Sequence, residues 1–191
     1  VRLAREIAAQ AAAVLANALV FAQTQEASVT DPLTELPNTR FMHAHMNREL
    51  ARATRQNASA CLLLMDCDEL KAVNDTYVHA GGDQVIQAVA QILKKTMRSC
   101  DFLARYGGEE FVALLYGAQR AEAAAFADQL RAAIEATPFG DPERPETVTV
   151  SGGVASLPED ADGAEGLFET ADANLYRAKS SGRNRVVADA R

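Results

Sequence analysis

Apolar positions recur with different periods along this chain, and each period predicts an element. In residues 1–28, Ile7, Ala11, Val14, Ala18 and Phe21 fall at alternating spacings of four and three, with Ala8, Leu15 and Ala22 beside them. A wide apolar stripe in a segment without glycine or proline predicts a long amphipathic helix. It fits an Ala-rich coiled-coil seam pairing with its copy in a dimer, which we favour. It also fits the last helix of an upstream domain, or a helix packed on its own domain. The chain begins in mid-pattern and so reads as a piece of a longer protein. Residues 1–29 are expected to be a connecting helix and 30–191 one folded domain.

Beyond Thr30-Asp31-Pro32, residues 39–56 repeat a helical pattern, with Phe41, Met42, His45, Met46 and Leu50 on one side. Cys61 to Met65 is a continuous apolar run, as in a strand buried on both faces. A short helix is expected over 70–77 and a longer one from Asp83 to Met97, after a turn at Gly81-Gly82. Phe102-Leu103-Ala104 and Val112 to Tyr116 flank a glycine pair, the signature of a β-hairpin. Ala121–Ala136 reads as a helix and Pro138–Glu146, with three prolines and a glycine, as a surface loop. Thr147–Val154 reads as a strand, Glu165–Lys179 as a helix, Ser180–Asn184 as a turn and Val186-Val187 as a last short strand. The order from residue 60, βααββαβαβ, predicts an α/β fold with a mixed central sheet flanked by helices.

Composition adds bounds. The 191 residues are 48% apolar and 24% charged, typical of a globular domain with a substantial core. A net charge of −7 argues against nucleic acid or an anionic membrane as partner, though not against a small anionic ligand held by local cations. Three cysteines, Cys61, Cys67 and Cys100, without CxxC spacing, indicate reduced thiols and a cytoplasmic setting. No apolar run is long enough to span a membrane, although a longer protein could carry an anchor elsewhere.

The candidate chemistry is acidic. Glu109 and Glu110 follow the glycine pair, and adjacent like charges call for a compensating cation, such as a bound metal or a cationic substrate. A second acidic strand end, Asp66-Cys67-Asp68, follows the buried run. If the two strands are neighbours, Asp66 and Glu109 converge into an oxygen-rich site for a hard cation such as Mg²⁺. Either cluster alone is a solvated tip. Asn74, Asp75 and Asp83 carry groups suited to a purine edge, and they are equally common turn and cap residues. Lys179, Arg183 and Arg185 lie at a helix end, where basic residues favour the helix dipole and also suit terminal phosphates. His43 and His45 alternate on a helix and point apart, which disfavours a shared metal.

In this order, Asp31-Pro32-Leu33-Thr34, Lys71 to Asp75, His79 to Asp83, Arg105 to Phe111, Ser151 to Val154, Ala171-Asp172, Leu175 to Lys179 and Gly182-Arg183-Asn184 resemble the GGDEF family of diguanylate cyclases. The resemblance covers about residues 31–188. It implies a palm-like nucleotidyl-cyclase fold, and the condensation of two GTP into cyclic di-GMP and two pyrophosphates across a homodimer, regulated by an upstream sensor domain. It implies Mg²⁺ or Mn²⁺ held by Asp66, the Cys67 carbonyl and Glu109, with Glu110 a catalytic residue that completes a second metal or orients the nucleotide. Glu109 is also the implied proton acceptor, two roles that compete. Asn74 and Asp83 would read guanine. The amides of Glu69, Leu70 and Lys71, with the side chains of Lys71, Lys179 and Arg183, would hold the β- and γ-phosphates. Arg98-Ser99-Cys100-Asp101 matches the family's RxxD inhibitory site for the product. A catalytically weak module that binds GTP or cyclic di-GMP is the other reading, and the presence of Asp66, Glu109 and Glu110 favours the enzyme.

The chain departs from the pattern where the family usually has glycine. All eleven glycines lie at or after Gly81, and Glu35 and Val78 stand at two of the usual glycine places. If either backbone needs positive φ, the side chain there is strained.

Overall fold

A computed structural model describes residues 10–12, 14, 29–71, 79–141 and 144–189, with the side chains of 79–80 and 140–146 left aside. The long N-terminal helix, Asn74 and Val78 therefore lie outside the described residues, apart from residues 10–12 and 14, which are helical. The elements are α1 (Thr39–Gln56), β1 (Ala60–Cys67), α2 (His79–Thr96), β2 (Phe102–Arg105), β3 (Glu110–Tyr116), α3 (Arg120–Glu135), β4 (Pro138–Asp141), β5 (Arg144–Thr147), β6 (Val150–Leu157), α4 (Ala164–Ser180) and β7 (Val186–Val187). Five strands form one sheet in the order β2-β3-β1-β6-β7, antiparallel except for the parallel β6–β7 pair.

All eight residues of β1 are buried because helices cover both faces of the sheet. Cys61, Leu63, Met65 and Cys67 meet Val89 and Leu93 of α2 and Ala127, Leu130 and Ile134 of α3. Leu62 and Leu64, on the opposite face, meet Met42, Met46 and Leu50 of α1 and Leu167, Ala171 and Leu175 of α4. The period of two in the strand and the helical stripes thus dictate a three-layer α/β/α sandwich. One glycine sets how closely α4 approaches. A Cβ on Gly153 would overlap the Ala171 carbonyl oxygen and the Leu175 amide.

Five expectations need correction. The loop expected over Pro138–Glu146 instead holds two paired antiparallel strands, β4 (Pro138–Asp141) and β5 (Arg144–Thr147), and the strand expected from Thr147 starts at Val150 and runs to Leu157. A two-stranded ribbon leaves one edge of each strand unpaired, where prolines are tolerated. The expected helix at Asp83 begins at His79, so Gly81-Gly82 is no turn. Both glycines sit in the first turn, where backbone N–H groups lack intrahelical partners anyway. Asp83 is inside α2 and exposed, so it is not this helix's cap. Glu35 does adopt positive φ, 59°, as the missing glycine suggested.

Candidate active site at the end of the central strand

β1 ends beside the tip of the β2–β3 hairpin. Asp66 pairs in register with Glu110 on one side and Ser151 on the other, and the Cys67 amide donates to the Glu109 carbonyl at 3.2 Å. The two acidic strand ends of the sequence are therefore neighbours. Asp66 is only 5% exposed. The compensating cation among the described residues is Lys179 of α4, whose Nζ lies 2.8 Å from Asp66 Oδ2. Burial pushes the Asp66 carboxyl above its usual range, against the pull of Lys179. Burial, then the Asp66 charge, likewise raise Glu109 and Glu110.

The hairpin tip is held from behind. Arg105 Nε donates to the Gly107 carbonyl at 3.1 Å and its Nη2 to the Gly108 carbonyl at 2.6 Å. Its Nη1 reaches both oxygens of Asp31, at 2.9 and 3.0 Å. Asp31 also accepts from the Thr34 amide and hydroxyl, and Thr39 Oγ1 donates to the Tyr106 carbonyl at 2.6 Å. The Glu110 carboxylate lies over Gly107, where a Cβ would overlap Glu110 Oε2 and the glutamate side chain would have to turn aside.

These positions bear on metal binding. Among the described residues, no three His, Cys, Asp or Glu side chains already converge as a metal shell. Asp66 turns to Lys179, and Glu110 folds over Gly107. The expected set of Asp66, Cys67, Glu109 and Glu110 is thus brought together along the backbone but not assembled. The donor chemistry still fits a hard cation. The carboxylates sit on neighbouring strand ends, the Asp66 charge raises both glutamates, and the buried Cys67 thiol, pushed up to about 12, leaves only its carbonyl as a candidate. The Cys67 thiol packs on the α2/α3 face, as does the buried Leu70, so Leu70 offers the site only its backbone. Lys71 and Arg183 are exposed, and Arg183 Nη1 lies 3.9 Å from Glu69 Oε1. Glu69 turns the chain after β1 with φ 56°, a conformation that turns successive amides toward one side.

Residues 28–185 match the profile of the family described as diguanylate cyclase, GGDEF domain. The chain belongs to the GGDEF family. It is 40% identical over 162 residues to diguanylate cyclase DgcP of Pseudomonas aeruginosa, covering 85% of this chain and 24% of DgcP. The solved GGDEF domain of DgcB from Caulobacter crescentus in complex with c-di-GMP is 33% identical, with a TM-score of 0.78, covering 84% of this chain and 95% of that one. The active GGEEF domain of a diguanylate cyclase from Vibrio cholerae is 31% identical, with a TM-score of 0.74 and 78% and 95% coverage. The chain spans about a quarter to a half of the length of the curated relatives it matches.

In this GGDEF domain the RxxD motif lies at the other end of the hairpin, away from the carboxylates. Arg98 Nε and Nη2 bind the two oxygens of Asp101 at 2.7 and 2.9 Å, and the Tyr116 amide donates to the same carboxylate at 3.1 Å. A cleft of about 550 Å³ adjoins it, lined by His45, Glu49, Arg52, Cys100, Asp101 and Tyr116 among others. The two histidines of α1 do point apart: His43 faces Tyr106 and Phe168, His45 faces Phe102 and Tyr116. No described helix is long and apolar enough to cross a membrane.

Sequence reasoning assigned no role to Arg105, Asp31 or Asp68. Arg105 carried a signal, a lone cation ending an apolar strand just before two glycines. Its partner Asp31 is 74 residues away and stood only as part of a family motif, with nothing to join the two.

Proposed function

We propose that this GGDEF domain is the catalytic part of a diguanylate cyclase, condensing two GTP into cyclic di-GMP and two pyrophosphates between two copies of the chain. The observation that carries this is the meeting of Asp66, Glu109, Glu110 and Lys179 at the end of one buried strand. Family membership and similarity to curated diguanylate cyclases support it.

Each copy holds one GTP, and the 3′-hydroxyl of one attacks the α-phosphate of the other. Asp66, Glu109, Glu110 and the Cys67 carbonyl are the residues that would hold a divalent cation, Mg²⁺ or Mn²⁺. When bound, such an ion lowers a hydroxyl's pKa and offsets charge on phosphoryl oxygens. Glu109, whose burial raises its affinity for a proton, accepts the proton of the attacking hydroxyl. Lys179 leaves Asp66 for the phosphates as negative charge arrives. Lys71, Arg183 and the amides of 69–71 hold the outer phosphates, Asn74 and Asp83 read guanine, and Arg98 with Asp101 takes the product as an inhibitor. The N-terminal segment brings two copies together under control of an upstream sensor, in the cytoplasm where GTP is present.

Incubating the protein with GTP and Mg²⁺ while following pyrophosphate, with the product identified by mass, tests the reading. Cyclic di-GMP whose specific rate falls on dilution and vanishes in Glu109→Ala is expected. GTP binding without turnover at high protein concentration, or an unimpaired Glu109→Ala, sinks it.

A further inference from the structure

Asp68 follows β1 by one residue and is 8% exposed. Its two oxygens accept three hydrogen bonds: Oδ1 from Ser151 Oγ at 2.7 Å, and Oδ2 from Thr149 Oγ1 at 2.8 Å and from the Asn184 amide at 3.0 Å. Its own amide donates to the Thr149 carbonyl at 2.8 Å. One carboxylate thus ties the turn after β1 to β6 and to the turn after α4.

The second turn is strained. Arg183 and Asn184 are consecutive non-glycine residues at φ 60° and 45°. Left-handed backbone is disfavoured for a residue with a side chain, less so for asparagine, and an arginine in it persists only where its surroundings fix it. Here they do so from three sides. The Arg183 amide donates to the Ala178 carbonyl at the end of α4. The Asn184 amide is held by Asp68. The Asn184 side chain bridges α3, donating to Glu135 Oε1 at 2.7 Å and accepting from Arg131 Nη1 at 2.9 Å. Arg131 is itself fastened to Asp128 and Glu135. The outcome is that Arg183, itself half exposed, is aimed at the Glu69 turn.

We infer that Asp68 is a positioning residue for outer-phosphate recognition: it sets the Arg183 turn against the amides of residues 69–71, and the Asn184–Arg131 contact holds that turn from outside. This rests on the reading of the site as a GTP site. A cation fixed before binding loses less freedom when it meets a phosphate, so the device acts on affinity for the β- and γ-phosphates and leaves the guanine end alone. The carboxylate acts as an acceptor. An asparagine can keep its oxygen on the Asn184 amide and turn its NH₂ to Ser151 Oγ, which accepts as readily as it donates.

The test compares binding of 3′-deoxy-GTP, which lacks the attacking hydroxyl, with binding of 3′-deoxy-GMP, both with Mg²⁺. Asp68→Ala is expected to cut the triphosphate preference about tenfold, the scale of one charge-assisted hydrogen bond. Asp68→Asn is expected to restore most of it. Arg131→Ala, on the outer layer, should cut it about threefold, a fraction of that same contact. In an Arg183→Ala background neither Asp68→Ala nor Arg131→Ala should reduce it further. Equal losses for both nucleotides, or an unchanged preference in folded Asp68→Ala, overturn the proposal. Should Asp68→Ala fail to fold, an unchanged preference in Arg131→Ala overturns it. Loss of preference in Arg183→Ala alone removes the positioning role and leaves the GTP site standing. A wild-type protein that does not prefer the triphosphate removes the underlying reading, and the inference with it.

Discussion

The β2–β3 hairpin carries an arginine–aspartate pair at each end, and the two differ in nearly every physical respect. At the tip, Arg105 and Asp31 are 14% and 18% exposed, join segments 74 residues apart, and spend the remaining guanidinium donors on the carbonyls of Gly107 and Gly108. At the base, Arg98 and Asp101 are neighbours in sequence. The Asp101 side chain is fully covered while Arg98 is 55% exposed. A guanidinium whose three nitrogens all bind its own chain is scaffold. One that keeps a solvent-facing edge is free to meet a ligand. The same residue types therefore mark a brace at one end of the hairpin and a candidate docking point at the other.

Truncating the tip pair should break the molecule hardest. Arg105→Ala leaves Asp31 largely buried without its cation and frees two turn carbonyls. The expected cost is about 3 kcal/mol of stability, as for a buried pair that loses one partner. Turnover should fall by at least about tenfold, because Glu109 and Glu110 sit on the turn that is released. Denaturant unfolding and initial rates check both numbers. Wild-type rates in Arg105→Ala would show that the tip needs no brace.

Arg98→Ala should do much less to the fold, about 1 kcal/mol or under, since the truncated side chain reopens Asp101 to water. Its effect should appear late in the reaction. Progress curves that slow as product accumulates in wild type are expected to stay linear in the variant. Curvature that persists unchanged would remove Arg98 from product recognition.

The tip pair also predicts a pH dependence. Burial pushes the Asp31 carboxyl up, but hydrogen bonds from Thr34 and Arg105 outweigh it and hold the group below the usual carboxylate range. A carboxyl depressed by folding contributes stability that is complete above the unfolded value near 4 and is lost as pH falls through the folded one. Asp66, Glu109 and Glu110 are raised and act with the opposite sign, but they are common to wild type and Asp31→Asn. The stability difference between those two proteins should be constant near neutrality and shrink below about pH 4. Parallel profiles down to pH 3 would contradict the assignment.

The contrast between the two pairs also explains what the sequence could disclose. The buried run of β1, the stripe of α1 and the hairpin were legible because period and burial are local properties. Arg98 and Asp101 were legible because three residues separate them. The Arg105–Asp31 brace and the Asp68–Asn184 bond were not, because a pairing over 74 or 116 residues depends on how the sheet closes. Pro138, Gly140 and Pro145 hid the β4–β5 ribbon, since their local preference is for turns and only register with Thr147 makes them strands. Asp66 and Glu109 were found as neighbours, yet Lys179 at Asp66 was expected on phosphates, because no spacing rule says which anion a lysine meets first.

The smallest effect lies in the turn that presents Asp31 to Arg105. Glu35 is exposed and held at φ 59° by the hydrogen bond that its amide N–H donates to the Asp31 carbonyl. A glycine there removes about 1–2 kcal/mol of left-handed strain and gives back about 0.5–1 kcal/mol in the greater freedom of its unfolded chain. Glu35→Gly should thus gain roughly 0.5–1 kcal/mol, or about 2 °C in Tm for a chain of this size. Because the turn and the brace share Asp31, the gain should be smaller in an Arg105→Ala background, where the turn no longer has to hold one shape. An equal gain in both backgrounds would mean that Glu35 strains only its own turn and that the brace begins at Asp31.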